Sequence, residues 1–282
     1  MSERLETRVR KSWLTPERAH YIIAIGIFIL ASVPLLTPFG LPLEISETTQ
    51  AYYDTVETLK PGDIVIYEWN MGSAQFGEMG APAIVQLQQL FNKAGVRIIV
   101  FQPTSEAPGL FDANIFPALD LKGKVYGIDW INLGFYPGGA VIAALATDPH
   151  QLFLKDHYGN ALSQYSLWND YRTGADCEMI IFNEVGHGGS YMTQFQIKWG
   201  TTIVGATVAA QYADCMLYYT SGQLKGVLNS LRGGAELEKL TNNPGRGLSA
   251  MDAMSTLHLW LILVVVAGNV QYFSKRRREG KR

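Results

Sequence analysis

Five short apolar runs, each bounded by polar or glycine residues, are spaced along the middle of the chain. Runs of this length, rich in isoleucine and valine, are typical of strands that are buried on both faces of a parallel sheet. We therefore predict five strands, at residues 63–69, 96–101, 124–132, 178–185 and 201–209.

Segments with helical spacing of apolar residues separate these runs. They are predicted at residues 46–59, 83–94, 110–119, 138–146, 191–199 and 210–240, while residues 147–177 fit no single element. Strands that alternate with helices favour a mostly parallel sheet with helices on both faces. The expected fold is α/β, a mostly parallel five-strand Rossmann-like three-layer sandwich.

Two further segments are apolar over a length that matches a bilayer. Residues 21–37 carry no charge and extend about 25 Å as a helix, and residues 254–273 carry no formal charge. We predict a transmembrane helix at 21–37, which acts as an uncleaved signal anchor, and a second at 249–273, which includes a membrane-proximal start. The alternative is that both segments are buried core helices.

Basic residues are concentrated outside the two apolar segments. Residues 1–19 hold five Lys and Arg and residues 274–282 hold six, out of 23 in the chain, so that 12 basic and 21 acidic residues remain between them. Positive flanks mark the cytoplasmic side of a membrane. Tails 1–20 and 274–282 are therefore expected in the cytoplasm and domain 38–248 outside the cell membrane. The acidic balance of this domain argues against nucleic-acid binding.

The run 178–185 ends in polar residues and a glycine-rich turn, and it carries the candidate chemistry. In open α/β sheets, ligands bind at the carboxyl ends of the strands. A ligand site is predicted there, with Glu184 as general base or hydrogen-bond acceptor and His187 as its acid or anion-binding partner. The predicted ligand-binding residues are Glu68, Asn70, Gln102, Asn183, Glu184, His187 and Ser190.

Known catalytic and cofactor motifs are incomplete in this sequence. Residues 187–189, His-Gly-Gly, are similar to an oxyanion turn of α/β-hydrolases, but the Gly-x-Ser-x-Gly elbow that those enzymes require is missing. The glycines after the first strand lack both the P-loop ending and the Gly-x-Gly-x-x-Gly dinucleotide motif. The sequence therefore predicts no cofactor and no metal site, and it does not favour an enzyme.

The cysteine content limits the covalent chemistry of the protein. Cys177 and Cys215 are the only cysteines in the chain. Two cysteines exclude a disulfide framework and a multi-cysteine zinc site. A single bridge between them and a pair of free thiols are both compatible with the sequence.

An apolar stripe in segment 210–240 indicates assembly. Leu224, Val227, Leu228 and Leu231 share one face of the predicted helix. Because a five-strand sheet does not need this face as cover, we expect a second copy of the protein to cover it. The expected function is homo-oligomeric assembly or a structural role in a membrane complex, with the lipid bilayer and other membrane subunits as partners. The alternative is an enzyme or a small-ligand-binding protein.

Overall fold

The computed structural model describes residues 16–137 and 139–279. The chain divides into two compact units. The described parts of residues 1–40 and 252–282 form one unit, and Leu41–Met251 forms the other. Of the predicted basic tails, residues 1–15 and 280–282 lie outside the described residues, as does Gly138 at the start of a predicted helix.

A parallel six-stranded sheet forms the centre of the larger unit. All five strand pairs are parallel, and the strand order across the sheet is β3-β2-β1-β4-β5-β6. The strands are β1 Ile64–Glu68, β2 Arg97–Gln102, β3 Trp130–Phe135, β4 Met179–Glu184, β5 Thr202–Thr207 and β6 Val227–Asn229. The predicted α/β fold with a parallel sheet is confirmed, and the predicted number of strands is too small by one.

Both faces of the sheet are buried. In β1, Val65 and Tyr67 belong to one hydrophobic cluster, whereas Ile64 and Ile66 belong to a second cluster on the opposite face. Consecutive strand residues point to opposite faces, so a strand that is covered on both sides must be apolar throughout. This requirement explains the uninterrupted apolar runs in the sequence.

Helices separate the strands along the chain, and two of the helices, the first and the last, are long and apolar. The helices are α1 Pro16–Leu36, α2 Glu47–Glu57, α3 Ser73–Asn92, α4 Ala107–Leu110, α5 Gly139–Thr147, α6 Pro149–Leu152, α7 Ser166–Asp170, α8 Gly189–Tyr191, α9 Ile197–Trp199, α10 Tyr212–Thr220, α11 Ser230–Leu240 and α12 Arg246–Glu279. Two π-helical turns, Phe111–Ile115 and Met192–Gln196, follow β2 and β4. Such turns are frequent at functional sites.

The predicted helix over residues 210–240 is wrong in its middle part. Val227–Asn229 forms the edge strand β6, between helices α10 and α11. Leu224, Val227 and Leu228 are buried inside the larger unit, and Leu231 is half-buried. Leu228 belongs to the hydrophobic cluster on one side of β6, and Leu224 and Val227 to the cluster on the other side, so these three side chains do not form the exposed stripe that was predicted as an oligomer contact.

Two other boundaries also differ from the predictions. Strand β3 starts at Trp130 rather than residue 124, because residues 127–129 form a turn that precedes it. Helix α3 starts at Ser73, ten residues before the predicted start at residue 83, and it includes Pro82.

Helix α11 packs closely against α3. A Cβ atom at Gly234 of α11 would lie 2.9 Å from Pro82. The glycine thus lets α11 pack closely against the proline turn of α3.

Long apolar helices form the smaller unit. The spans Glu17–Leu36 and Arg246–Arg277, of 20 and 32 residues, are long and apolar enough to cross a membrane. They contain the predicted segment 21–37 except for Thr37, and all of the predicted segment 254–273. Only 6% of each apolar window is buried within the structure. Burial this low argues against the alternative of two core helices. Helix α12 begins at Arg246, three residues before the predicted start at 249.

The two long helices contact each other within the smaller unit. The Thr256 hydroxyl donates to the Leu30 carbonyl at 2.8 Å, and the Trp260 indole N–H donates to the Ile23 carbonyl at 3.4 Å. A Cβ atom at Gly26 would overlap the Trp260 ring. Small residues allow this kind of close approach between apolar helices.

Substitution of Gly26 by leucine is expected to disturb this helix pair, because the new side chain must displace the Trp260 ring. Overpacking of this kind costs about 1–3 kcal/mol. The measurement is thermal unfolding of the full chain in mild detergent. Gly268→Leu is the matched control, since no atom lies within 4 Å of a Cβ at Gly268. Equal unfolding midpoints for the two variants would contradict the described contact.

Candidate functional site

The order of the strands reverses between β1 and β4. From β1 the chain continues to β2 and β3 on one side, and from β4 to β5 and β6 on the other. Ligands of open α/β sheets bind in the crevice outside the carboxyl ends of such neighbouring strands. Glu68 and Glu184 are the last residues of β1 and β4, and Asn70 pairs with Glu184 just beyond them. The structure therefore brings these three predicted residues to the crevice.

The predicted site residues divide between the two faces of the sheet. Strand alternation places Glu68 and Glu184 on the same face as Ile66 and Phe182. Gln102 and Asn183 follow the opposite alternation and point to the other face, towards the core that contains Tyr67. The sequence-based prediction joined residues from both faces into one site, and the structure separates them.

Glu68 is fully buried at the end of β1. Neither of its carboxyl oxygens has a hydrogen-bond partner among the described residues. Burial raises the pKa of Glu68 well above its usual value, and the nearby Glu184 carboxylate raises it further. The Tyr191 hydroxyl and the Asn183 backbone N–H lie close by without well-formed hydrogen bonds, and they offset part of this rise. The structure thus favours the neutral carboxylic acid.

Glu184 holds the glycine-rich turn that follows β4. Its Oε1 atom accepts a hydrogen bond from the Gly188 N–H at 2.7 Å. Gly188 has a left-handed backbone with φ +74°, and a Cβ there would lie 2.7 Å from the Phe182 ring. A glycine is therefore required at this position for both reasons. The observed contact of Glu184 is structural, while its predicted role as a general base stays a prediction.

His187 and Ser190 lie on the same turn with different exposure. The His187 ring stacks on Tyr218 at a centroid distance of 4.6 Å, and its Nδ1 atom is buried without a partner in the described part of the chain. Ser190 is exposed in the short helix α8. The turn thus presents one partly buried imidazole three residues after Glu184.

A cleft of about 410 Å³ opens between the segments that follow β1, β2 and β4. Thr104 donates a hydrogen bond to the Oδ1 atom of Asn70 in this cleft. Asn70 follows Glu68 by two positions, so the two side chains share one side of the chain, and Glu68 lies beneath Asn70 without lining the cleft itself. The lining residues are Asn70, Gly72, Ser73, Ala74, Gln75, Thr104, Glu106 and Val185.

Glu106 occupies the amino-terminal end of α3. Its Oε2 atom accepts a hydrogen bond from the Ser73 N–H at 2.7 Å, and this bond lowers the pKa of the carboxyl. The first turn of a helix is a favourable position for an anion. Here a carboxylate of the same chain takes that position. The sequence-based prediction missed Thr104 and Glu106, although both follow β2 as Asn70 follows β1.

No protein-family model and no curated protein matches this sequence.

Gln102 and Asn183 are buried polar residues on the other face of the sheet. The Tyr67 hydroxyl donates to Gln86 Oε1 at 3.2 Å, and Asn183 Nδ2 donates to the Glu68 backbone carbonyl at 3.0 Å. The side-chain amide of Gln102 has no partner in the described structure. These residues lie in the core rather than along the cleft. Asn183 supports β1 through the backbone of Glu68.

Metal binding has no geometric support in the described ranges. No group of three or more His, Cys, Asp or Glu residues within them is arranged to hold a metal ion. His157 pairs with Asp112 at 2.8 Å, and Asp156 accepts hydrogen bonds from Tyr126 and Tyr165. The acidic residues of segment 147–177 thus organise the loop in which they lie.

Both cysteines are free and buried. The Cys177 thiol contacts the Met179 carbonyl at 3.3 Å, and the Cys215 thiol contacts the Gly186 carbonyl at 3.4 Å. Burial is the main cause that raises the pKa of each thiol to about 12. Of the two arrangements compatible with the sequence, the structure has the free thiols.

Neither thiol is expected to react with iodoacetamide in the folded protein at neutral pH, because the reactive thiolate is absent and both sulfurs are buried. Mass spectrometry of the labelled full chain tests this expectation. Both cysteines should be labelled once the protein is unfolded in denaturant, which provides the control. Rapid labelling of either residue before unfolding would contradict the described burial.

Proposed function

We propose that this protein is a membrane-anchored α/β protein that binds a small polar ligand in the cleft at the carboxyl ends of β1 and β4. The observation that carries the proposal is the buried Glu68 carboxyl, whose oxygens have no partner among the described residues. Burial of a polar group without a hydrogen bond is costly. Such groups are kept mainly where function requires them.

The fold supports this location without defining the chemistry. The strand order of the sheet is the order of Rossmann-like dinucleotide-binding folds, and we infer a Rossmann-like three-layer sandwich from it. Similar folds host many unrelated functions. The proposal therefore depends on the cleft and on Glu68, and the fold contributes only the position.

Membrane anchoring is the second part of the proposal. It is supported by α1 and α12, which are long and apolar enough to cross a bilayer, and by the basic residues beside them. The positive-inside rule then places both termini in the cytoplasm and residues 38–248 outside. Protease added outside intact cells should cleave the larger unit and spare both tails. Cleavage restricted to the tails would contradict this topology.

A ligand screen tests the cleft directly. Small polar compounds are added to the full chain in detergent, and a ligand is expected to raise the thermal unfolding midpoint. Asn70→Leu should abolish this stabilisation because leucine replaces the polar floor of the cleft. Asn92→Leu is the matched control, since Asn92 lies at the opposite end of α3, about 30 Å away. Equal stabilisation of both variants would overturn the proposed site.

Homo-oligomeric assembly remains a second proposal, with support different from the predicted stripe. Leu154, Ile197 and Leu217 of the larger unit are 66%, 73% and 71% exposed. Contiguous exposed apolar patches mark contacts with another copy or with another membrane subunit, and these three side chains are the candidates for such a patch. Particle mass in mild detergent tests the proposal. A particle that stays monomeric at high protein concentration would count against assembly.

A further inference from the structure

We propose that the ligand of the cleft is a small organic cation with a protonated amine, and that phosphate-bearing ligands are excluded. This inference rests on the proposed function of the cleft. Among the described residues that line the cleft, Glu106 is the only charged one, and none is Lys, Arg or His. A cation is therefore favoured at this position by charge, and its N–H groups match the acceptor atoms of the lining.

The position for an anion at this edge is already filled. In dinucleotide-binding folds the phosphates lie at the first turn of the helix that follows β1. Here Glu106 accepts the Ser73 N–H at 2.7 Å, and the Gly72 N–H is directed to Gln75 Oε1 at 3.3 Å. A phosphate in the same place would meet a carboxylate and would lose these two donors. The Glu106 carboxylate therefore competes with any anion for the first turn of α3.

Two further carboxyl groups extend the acidic character below the cleft. Glu68 lies about 7 Å from Asn70 along the strand, and Glu184 pairs with Asn70 across the sheet. The ionisable groups that face Glu68 are Glu184 from β4 and Tyr191 from α8. Neither is a base that supplies positive charge. An ammonium group in the cleft would bring a positive charge close to these carboxyl groups.

Binding of a cation should therefore release a proton. A positive charge nearby stabilises the ionised form of a carboxyl group. Glu68, which its burial and the nearby Glu184 hold as a neutral acid, would lose its proton to solvent as the amine binds above it. The products are an ion pair and, averaged over the bound molecules, a fraction of one proton that the buffer takes up. A phosphate ligand would have the opposite effect on the same carboxyl group.

Isothermal titration calorimetry on the full chain in detergent tests this inference. The cationic probes are putrescine and agmatine, and the anionic probes are inorganic phosphate and AMP. Each titration is made at one pH in two buffers with different ionisation enthalpies, which reveals proton release. We expect the amines to bind with release of a fraction of a proton, and the anions not to bind.

Variants separate the contributions of the carboxyl groups. Glu106→Gln keeps one acceptor for the Ser73 N–H and should weaken amine binding about fivefold, while Glu106→Ala frees the first turn of α3 and should introduce phosphate binding. Glu68→Gln should bind the amine without proton release. Glu44→Gln, an exposed glutamate outside the cleft, is the matched control and should behave as the unchanged protein.

The outcomes distinguish this inference from the proposed function. Binding of phosphate or AMP, lost in Asn70→Leu, would overturn the amine inference and leave the cleft as a ligand site. Amine binding that is unaffected by Glu106→Gln and Asn70→Leu would place the cation elsewhere and overturn the inference. Binding of neither class to the unchanged protein would overturn the inference and count against the proposed function as well.

Discussion

Replacement of Glu68 by glutamine is expected to stabilise the folded protein at neutral pH. The carboxyl of an unfolded chain has a pKa near 4, whereas burial and the Glu184 carboxylate raise the pKa of Glu68 well above its usual value. Below about pH 4, Glu68 is protonated in both the folded and the unfolded state, so its ionisation does not reduce the free energy of unfolding. As the pH rises towards the folded-state pKa, about 1.4 kcal/mol is lost for each pH unit. Glutamine does not titrate and avoids this loss.

The measurement is chemical unfolding of the full chain in mild detergent from about pH 4 to about pH 8. The free energy of unfolding of Glu68→Gln should exceed that of the unchanged protein by an amount that grows with pH. Glu44→Gln provides the control, because Glu44 is exposed. Parallel pH profiles for the unchanged protein and Glu68→Gln would show that Glu68 is not held as a buried neutral acid. A higher free energy of unfolding for Glu68→Gln would indicate that Glu68 is retained for function rather than for stability.

Replacement of Glu238 by alanine is expected to destabilise the larger unit by about 3 kcal/mol. The buried carboxylate of Glu238 accepts hydrogen bonds from the backbone N–H groups of Gly245, Gly247 and Leu248 at 2.8–3.0 Å. These groups belong to the start of α12 and have no partner inside the helix. Burial raises the pKa of this carboxyl, and the three N–H groups offset part of the rise. Alanine removes all three acceptor contacts at once.

Glu238→Gln is the matched comparison, because its side chain keeps one carbonyl oxygen as an acceptor. Its loss of stability should be clearly smaller than that of Glu238→Ala. Thermal unfolding of the full chain in detergent, with secondary structure followed by circular dichroism, measures both. If the two variants lose equal stability, the side-chain volume rather than the hydrogen bonds to α12 is what matters.

The strands were largely predictable because a parallel sheet covered on both faces imposes uninterrupted apolar runs. The runs that contain Val65, Val100, Ile181 and Val204 became β1, β2, β4 and β5. Strand β6 was missed because it has only three residues and follows Gly226. The spacing of Leu224, Val227, Leu228 and Leu231 also matches a helical repeat. Short apolar runs cannot be assigned to a strand or a helix from periodicity alone.

The candidate site was predictable in position and not in composition. Glu68, Asn70 and Glu184 follow from the rule that parallel strands bring their carboxyl ends to one edge. Gln102 and Asn183 do not join them, because their side chains point to the opposite face of the sheet from Glu68 and Glu184. Tyr191 and Glu106 come from segments after β4 and β2, and their approach to Glu68 and Ser73 depends on tertiary packing. No local sequence signal specifies such an approach.

The most direct test of the proposed function is a high-resolution structure of the protein extracted from its native membrane. We expect density for a small molecule in the cleft beside Asn70 and Glu106, above the Glu68 carboxyl. A cleft that holds only ordered water, with both Glu68 oxygens paired by that water, would contradict this expectation.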